Sequence, residues 1–461
     1  MMQEKSHIKM YHALITFSSF IFLMIACVTK WGIDPQTPLV IGCAIGAIVA
    51  IWGGCTWDDV LGGIVDGIHR SIEAVIILLL IGMLVGTWIA CGTVPAIIYY
   101  GLRIMSAQLF LPAVFFVCAI VSLAIGSWGT IGTIGLGFMG VGIALEFPAP
   151  MVVGAILSGS YVGEIASPLA DALNLNAAVV GTDLMKLSKK VLAVLVPVIA
   201  IIAISLFVLG MPYSSGDAAL VQQSIDPIVS SLTTVFRISP ASFLPIMILL
   251  GCILVKVPAI PAMFAGSVAG MLCGYIYQGV SLNDMLQTCF HGYVSSTGSE
   301  LMDRLLTAGG MNDMLYSVSI ILIAMGFGGM LNRTGQIDAL ISPLMRRIRS
   351  NIGLVAVTEA SCVLVNALMP DQYLAIALPG QTFKNTYIER NIPPEILGII
   401  LSSAATATSC LIPWNTCGTY IESILGVTAL SYWRYYLLGF LMPIGMFLYL
   451  SLREAQKKRG K

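Results

Sequence analysis

Leu109-Phe110-Leu111-Pro112-Ala113-Val114-Phe115-Phe116-Val117-Cys118-Ala119-Ile120-Val121-Ser122-Leu123-Ala124-Ile125 runs straight into Gly126-Ser127-Trp128-Gly129-Thr130-Ile131-Gly132-Thr133-Ile134-Gly135, and the join between the two stretches decides the fold. The first stretch is apolar all round, as a helix immersed in lipid must be. The second loosens that helix with glycines and hydroxyls. Backbone carbonyls freed by such a break need partners in hydrocarbon, and a bound cation with Ser or Thr hydroxyls is one way of satisfying them. Close packing of small residues against another helix is the alternative reading.

Outward from this segment, apolar runs recur at 13–28, 38–52, 74–90, 191–209, 242–255, 319–329, 354–365 and 437–450. Several are long enough to cross a hydrocarbon core of about 30 Å. With 461 residues, 57% hydrophobic and 10% charged, the chain has too little charge to coat a soluble globule of its size. A β-barrel would alternate apolar and polar residues, which these runs do not. The expected class is an all-α polytopic membrane protein. The first run could pass for a signal peptide, but Cys27-Val28-Thr29-Lys30 lacks a small-x-small cleavage site, so it reads as the first transmembrane helix.

Other classes lack support. A net charge of zero with scattered basic residues argues against nucleic acid. The 11 cysteines include no C-x-x-C pair and sit mostly in apolar runs, where they read as small hydrophobes. The 4 histidines form no HExxH and there is no P-loop, which leaves a metalloprotease or an ATP-driven pump without a motif. Gly135-Leu136-Gly137-Phe138-Met139-Gly140 fits G-x-G-x-x-G, yet it follows no strand pattern and lies in apolar transmembrane sequence. No cofactor is implied, and no nucleophile and base stand at a readable spacing for an enzyme.

Sliding the chain against itself reveals a repeat. At an offset of 245, Phe147-Pro148-Ala149-Pro150 meets Ile392-Pro393-Pro394-Glu395, Pro168 meets Pro413, Gly181 meets Gly426 and Gly135 meets Gly380. At 244, Gly82 meets Gly326, and at 225, Trp57-Asp58-Asp59 meets Leu282-Asn283-Asp284 with Gly67 on Gly292. The shrinking offset predicts about twenty added residues near 296–314. Lys186, Lys189 and Lys190 correspond to a segment holding only Arg434, while Arg346, Arg347 and Arg349 correspond to one holding only Arg103. If triply basic loops are cytoplasmic, the two copies face opposite ways, and the basic tail places the C-terminus in the cytoplasm.

The expected organisation is N-terminal transmembrane helices over 1–56, a first repeat over 57–210, a polar linker over 211–239, a second repeat over 240–430, and a last transmembrane helix with a basic tail over 431–461. Residues 57–70 and 280–314 carry charges among helically spaced apolar residues and read as interfacial helices or re-entrant hairpins.

Each copy is broken twice. The first copy's second break, Ser158 to Asn174, holds Glu164, Ser167, Pro168, Asp171 and Asn174. Carboxylates at bilayer depth cost on the order of 2.5–3.5 kcal/mol each on the lenient insertion scale, so they have a job or a partner. Such a group can trade a proton for sodium, because burial and a nearby cation act on it in opposite senses. The second copy offers Glu359, Asn366, Asp371, Gln372 and Tyr373, then Thr406 to Gly418 with Pro413, Trp414, Asn415 and Thr416. Asn415 and Thr416 supply neutral oxygens suited to an alkali cation. Asp371 beside Pro370 also fits a helix N-cap.

At these residues the chain resembles the NhaC family of sodium/proton antiporters. The matching motifs are Gly86-Thr87-Trp88 with Gly92-Thr93-Val94-Pro95, Ser127-Trp128-Gly129-Thr130 with Gly132-Thr133, Ser167-Pro168-Leu169 with Asp171 and Asn174, Asp371-Gln372-Tyr373, and Leu411-Ile412-Pro413-Trp414-Asn415-Thr416-Cys417-Gly418. The resemblance implies paired re-entrant hairpins, a scaffold with a transport domain, and a homodimer in the bacterial cytoplasmic membrane. Two departures stand out. The family's Gly-Asp-Lys-Met-Ser-Pro-Leu-Ser-Asp-Thr-Thr is replaced by Gly163-Glu164-Ile165-Ala166-Ser167-Pro168-Leu169-Ala170-Asp171-Ala172-Leu173, and its Glu-Asp before the last motif by Ser402-Ser403.

The expected function is therefore sodium/proton antiport by alternating access. Glu164 and Asp171 would take up the ions, with Ser127, Trp128, Thr130, Thr133, Ser167 and Asn174 beside them and Asn366, Asp371, Gln372, Asn415 and Thr416 opposite. Asp171, Thr130 and Asn415 are the sodium candidates. The lost charges favour, as the rival, a sodium- or proton-coupled carrier of a small organic acid or amino acid. An ion channel filtered by the glycine-rich break is a third reading, weakened by the duplication and the buried carboxylates.

Overall fold

Apolar sequence without strand alternation folds here into helices from end to end, in a computed structural model that describes residues 8–104, 106–214, 218–255, 257–345, 350–369 and 371–459. Linker residues Ser215, Gly216 and Asp217, the basic triplet Arg346, Arg347 and Arg349, and Pro370 and Lys461 lie outside the described residues.

The first half contains α1 (Met10–Met24), α2 (Gln36–Trp52), α3 (Trp57–Ala90), α4 (Thr93–Ile104), α5 (Ala107–Thr130), α6 (Leu136–Ala144), α7 (Ala149–Ala166), α8 (Asp171–Val180) and α9 (Leu184–Gly210). Helix α10 (Ala218–Val235) leads into α11 (Leu244–Leu254), α12 (Ala259–Cys273), α13 (Leu282–His291), α14 (Glu300–Leu306), α15 (Met311–Arg333) and α16 (Gln336–Met345). The chain ends with α17 (Asn351–Leu368), α18 (Gln372–Glu389), α19 (Pro394–Ile400), α20 (Thr416–Leu425), α21 (Ala429–Tyr432) and α22 (Leu438–Arg459). Among the described residues nine helices are long and apolar enough to cross a membrane, and Asp226–Val235 with Pro240–Cys252, bent by 80°, would make a tenth. The spans Ala149–Ala166 and Pro394–Leu411 are each 89% buried against 33% for Leu184–Tyr213, so the first two form the centre and the last faces outward.

Residues 57–70 are neither a separate interfacial helix nor a hairpin. They are the first turns of the 34-residue α3, started by a reciprocal cap in which Thr56 Oγ1 accepts from the Asp59 amide and Asp59 Oδ2 accepts from the Thr56 amide. At about 1.5 Å per residue α3 is about 50 Å long, so its polar beginning extends past a core of about 30 Å without a turn.

Helix α13 opens with a similar Ser281 and Asp284 cap but stops at Gly292, whose φ of 81° favours glycine. The chain then makes a small excursion over 292–310, overlapping the stretch 296–314 singled out from sequence. A bridge between Tyr293 and Ala308 closes it. Asp303 Oδ1 accepts from the Thr297 amide at 2.5 Å and from the Ser295 and Thr297 hydroxyls at 2.8 Å each. These donors, the Thr297 amide first, hold the Asp303 carboxyl below its ordinary value.

Helices α3 and α15 cross on glycines. A Cβ on Gly67 would lie 2.0 Å from the Met325 carbonyl oxygen, and one on Gly329 would lie 2.2 Å from the Gly63 oxygen. Because the obstacle is backbone, Gly67→Ala is expected to destabilise the protein by about 1–3 kcal/mol, read as a lower melting temperature in detergent. An unchanged melting curve would contradict this crossing.

Among the described residues only Glu146 (φ 62°) and Asn391 (φ 54°) take positive φ without being glycine. Each lies in the turn before a proline-capped helix, Pro148 ahead of α7 and Pro393 ahead of α19.

Candidate functional site

Four helices are interrupted where the sequence loosens. Gly126, at φ 73° and ψ 176°, kinks α5 so that Ser127 begins a new helical segment. The chain leaves α7 at Ala166, passes Pro168 and restarts as α8 at Asp171. It leaves α17 at Leu368 and restarts as α18 at Gln372, where Asp371 Oδ1 caps the Leu374 amide at 2.9 Å. Beyond α19 a wide turn over Leu401–Thr406 and a tight one over Ser409–Leu411 lead to α20, capped by Asn415 Oδ1 on the Cys417 amide at 3.1 Å.

The four restarts, at Ser127, Asp171, Gln372 and Thr416, border one cavity of about 890 Å³. Each helix N-terminus carries about half a positive charge, so together they offset about two negative charges.

Glu164 comes from the last turn of α7 and is 6% exposed. Its Oε2 accepts from the Ser127 amide at 3.2 Å and the Ser127 hydroxyl at 2.9 Å, and its Oε1 accepts from Gln372 Nε2 at 3.1 Å. Gln372 Oε1 in turn accepts from the Ser409 hydroxyl at 3.4 Å and the Cys417 thiol at 3.6 Å. Among the described residues no lysine or arginine pairs with Glu164. Neutral donors and two helix N-termini hold this acid. Trp128 stacks on Tyr420 with ring centres 4.6 Å apart, and Tyr420 donates to the Trp128 carbonyl at 2.6 Å, tying the α5 break to α20.

Of the residues singled out from sequence, Ser127, Trp128, Thr133, Glu164, Asp171, Asp371, Gln372 and Thr416 border the cavity. Thr130, Ser167, Asn174, Asn366 and Asn415 do not, so of the sodium candidates only Asp171 faces it. Their polar groups serve the breaks themselves. Thr130 donates to the Gly126 carbonyl at 2.7 Å, Ser167 to Leu123 at 2.8 Å, Asn174 to Pro168 at 3.0 Å and Asn366 to Ala405 at 2.7 Å. Asn415 donates to the Asn366 carbonyl at 3.2 Å. Side chains thus satisfy the carbonyls for which a bound cation was the expected partner.

Arg70 and Glu73 of α3 also border the cavity, and sequence reasoning passed over them. Their signal was a pair of charges directly ahead of the apolar run at 74–90. Glu73 acts electrostatically on Asp171, and Arg70 on Asp371. Among the described residues no group of three or more His, Cys, Asp or Glu side chains is placed to hold a metal.

The profile of the Na+/H+ antiporter family matches residues 159–452, from within α7 to α22, so it covers three of the four restarts. The chain belongs to this family. Relatives align along nearly its whole length. The arginine/ornithine antiporter ArcD of Halobacterium salinarum is 32% identical over 94% of this chain and 90% of its own. The Na(+)/H(+) antiporter NhaC of Alkalihalophilus pseudofirmus is 32% identical over 91% and 88%, and the malate-2H(+)/Na(+)-lactate antiporter of Bacillus subtilis is 30% identical over 95% and 93%. Antiporter-family membership places the chain among multi-pass membrane transporters rather than enzymes. Ser402, where the resemblance led one to expect an acid, accepts from Asn176 Nδ2 at 2.9 Å and does not border the cavity.

Proposed function

We propose that the chain is a sodium/proton antiporter working by alternating access, with Glu164 as the group that carries either a proton or a cation and Asp171 as the second acid on the ion's path. The observation that carries this reading is the placement of Glu164 between Ser127 and Gln372, each the first residue of a restarted helix. A carboxylate held by neutral donors binds one positive species at a time, and such competition makes the two fluxes exchange.

The proposed architecture is a pair of inverted repeats meeting at this acid. Ser127 and Gln372 are 245 positions apart, as are the positive-φ residues Glu146 and Asn391 and the left-handed helix ends Gly181 and Gly426. The counterpart of Glu164 at that offset is Ser409, which donates to Gln372. The basic loops support opposite orientation with a cytoplasmic C-terminus. The repeat boundaries, the homodimer and the re-entrant hairpins implied by the NhaC resemblance belong to the same proposal.

A second reading, coupled exchange of an organic acid or amino acid, is favoured by the cavity of about 890 Å³, more than a sodium ion and a few oxygen ligands need, and by the cargo named for the two organic-solute relatives.

In everted vesicles a sodium pulse is expected to move protons against the pulse, and Asp171→Asn to abolish that response. A response absent from the parent protein, or unchanged in the variant, counts against the proposal.

A further inference from the structure

The second half of the chain leaves open a space that the first half fills with aromatic rings. At the offset of 245, Val355 corresponds to Phe110 and Ile392 to Phe147. Phe110 and Phe147 lie with ring centres 5.2 Å apart, and Phe147 lies 4.8 Å from Tyr213, just past the end of α9. With Val355 and Ile392 in place of two of those rings, a cavity of about 140 Å³ remains between α17, the turn from α18 into α19, and α22. One water needs roughly 10–15 Å³, so the space takes a group of several heavy atoms. We infer that this cavity binds the phosphate and first methylenes of an anionic phospholipid, an occupant separate from the ions exchanged at Glu164.

The lining changes character with depth. Asn351 is the first residue of its span, Ser451 is the last of the apolar part of α22, and Arg390 and Asn391 stand just ahead of the span that starts at Pro394. These four polar residues mark the level where three apolar segments stop, which is the level of lipid headgroups. Val355 and Phe447 line the cavity about one turn further in, at the depth of acyl chains. On the flanking helices Ile388, Ile444 and Leu448 are each more than half exposed, as side chains turned toward lipid are.

Charge selects the headgroup. Among the described residues Arg390 is the one charged side chain in the lining. Its Nη1 donates to the Ser350 carbonyl at 3.1 Å, which fixes the guanidinium beside the start of α17. A guanidinium has five N–H donors, so the same group can hold a phosphate oxygen as well. The sequence flanking the rim is basic too. Arg346, Arg347 and Arg349 precede Asn351, and Ser451 is followed by Arg453, Lys457, Lys458, Arg459 and Lys461 against one acid, Glu454. Basic clusters beside a span attract anionic lipid. A soluble phosphate would leave the apolar wall unused, a zwitterionic lipid brings a further cation to a positive rim, and a neutral lipid leaves the arginine unanswered.

The test is native mass spectrometry of the purified full chain, stripped of lipid in neutral detergent, titrated with phosphatidylglycerol, phosphatidylcholine or sn-glycerol 3-phosphate. Phosphatidylglycerol is expected to bind at least about tenfold more tightly than either of the others. Arg390→Gln should weaken it about tenfold to a hundredfold, as loss of a charge-assisted contact does. Ile392→Phe, which restores the ring that Phe147 supplies in the first half, should weaken it as much with Arg390 in place. Ile444→Phe, the same exchange at a lipid-facing position of α22, should bind as the parent does. Melting without lipid shows which variants are folded, and Ile392→Phe should melt at or above the parent because its ring enters existing space. The inference is overturned by equal affinity for the two phospholipids, or by sn-glycerol 3-phosphate binding as tightly as phosphatidylglycerol, which would make this a site for soluble phosphates. Unchanged phosphatidylglycerol affinity in Ile392→Phe or in a folded Arg390→Gln overturns it too, as does a lowered melting temperature of Ile392→Phe, which would mean that the space is not there to fill.

Discussion

Sodium-driven proton movement by a Glu164→Gln variant is expected to fall to the level of vesicles without the protein, at least about a hundredfold below the parent, an effect of about 2.7 kcal/mol or more on the transport step. Glutamine has nearly the same shape, so the protein should still insert and elute normally. Its amide carries one acceptor oxygen where glutamate has two, while three donors converge on the site: the Ser127 amide, the Ser127 hydroxyl and Gln372 Nε2. The new NH2 group therefore faces a donor on one side, at a cost of about 1–3 kcal/mol for the bond left unmade. More decisively, the amide neither takes up a proton in the working range nor offers a charge to sodium. A Glu164→Gln protein that still exchanges protons for sodium would move the coupling site elsewhere.

Gly163→Ala is expected to remove transport without touching any charged group. A Cβ there would lie 2.2 Å from both the carbonyl carbon and the carbonyl oxygen of Ser122, and 2.5 Å from its hydroxyl. Ordinary contact requires about 1 Å more, so α7 must shift away from α5 through a close-packed contact, at about 1–3 kcal/mol. Glu164 is the next residue, and its 2.9 Å bond to the Ser127 hydroxyl spans that same interface. A shift of about 1 Å carries this contact beyond hydrogen-bonding range. Gly251→Ala is the matched control, since a Cβ at that position meets nothing within 4 Å. Melting temperature and vesicle exchange should both fall for Gly163→Ala and hold for Gly251→Ala, and equal behaviour of the two would show that the α5 and α7 contact does not position the acid.

The interruptions were legible from sequence because their causes are local. Glycine at 126, proline at 168 and the capping side chain Asp371 end or start a helix by their own chemistry, whatever surrounds them, whereas Asn415, read from sequence as an oxygen ligand, caps α20. Which side chains meet the cavity was not legible, because it depends on how each helix is rotated against its neighbours. Thr130 and Thr133 are alike in sequence, yet only Thr133 borders the cavity. Arg70 was hidden for a related reason: its segment, 57–70, read as a peripheral element, and only its continuity with the rest of α3 brings it, and Glu73 three residues on, to the cavity. Mixed charges near an apolar run gave no cue to that continuity, which comes from the Thr56 cap and an unbroken helical stretch.

The breaks are self-supporting. With Thr130, Ser167, Asn174, Asn366 and Trp414 Nε1, which donates to Ala367 at 2.7 Å, already occupying the loosened carbonyls, cargo is not a structural cement. On the antiport reading, ions or solutes would arrive and depart without any helix having to refold around them, and discrimination among them would fall to a handful of charges. A scaffold of that kind can be re-tuned to a different passenger by exchanging a few rim residues, which accords with kindred proteins of about the same sequence distance bearing the names of such different loads.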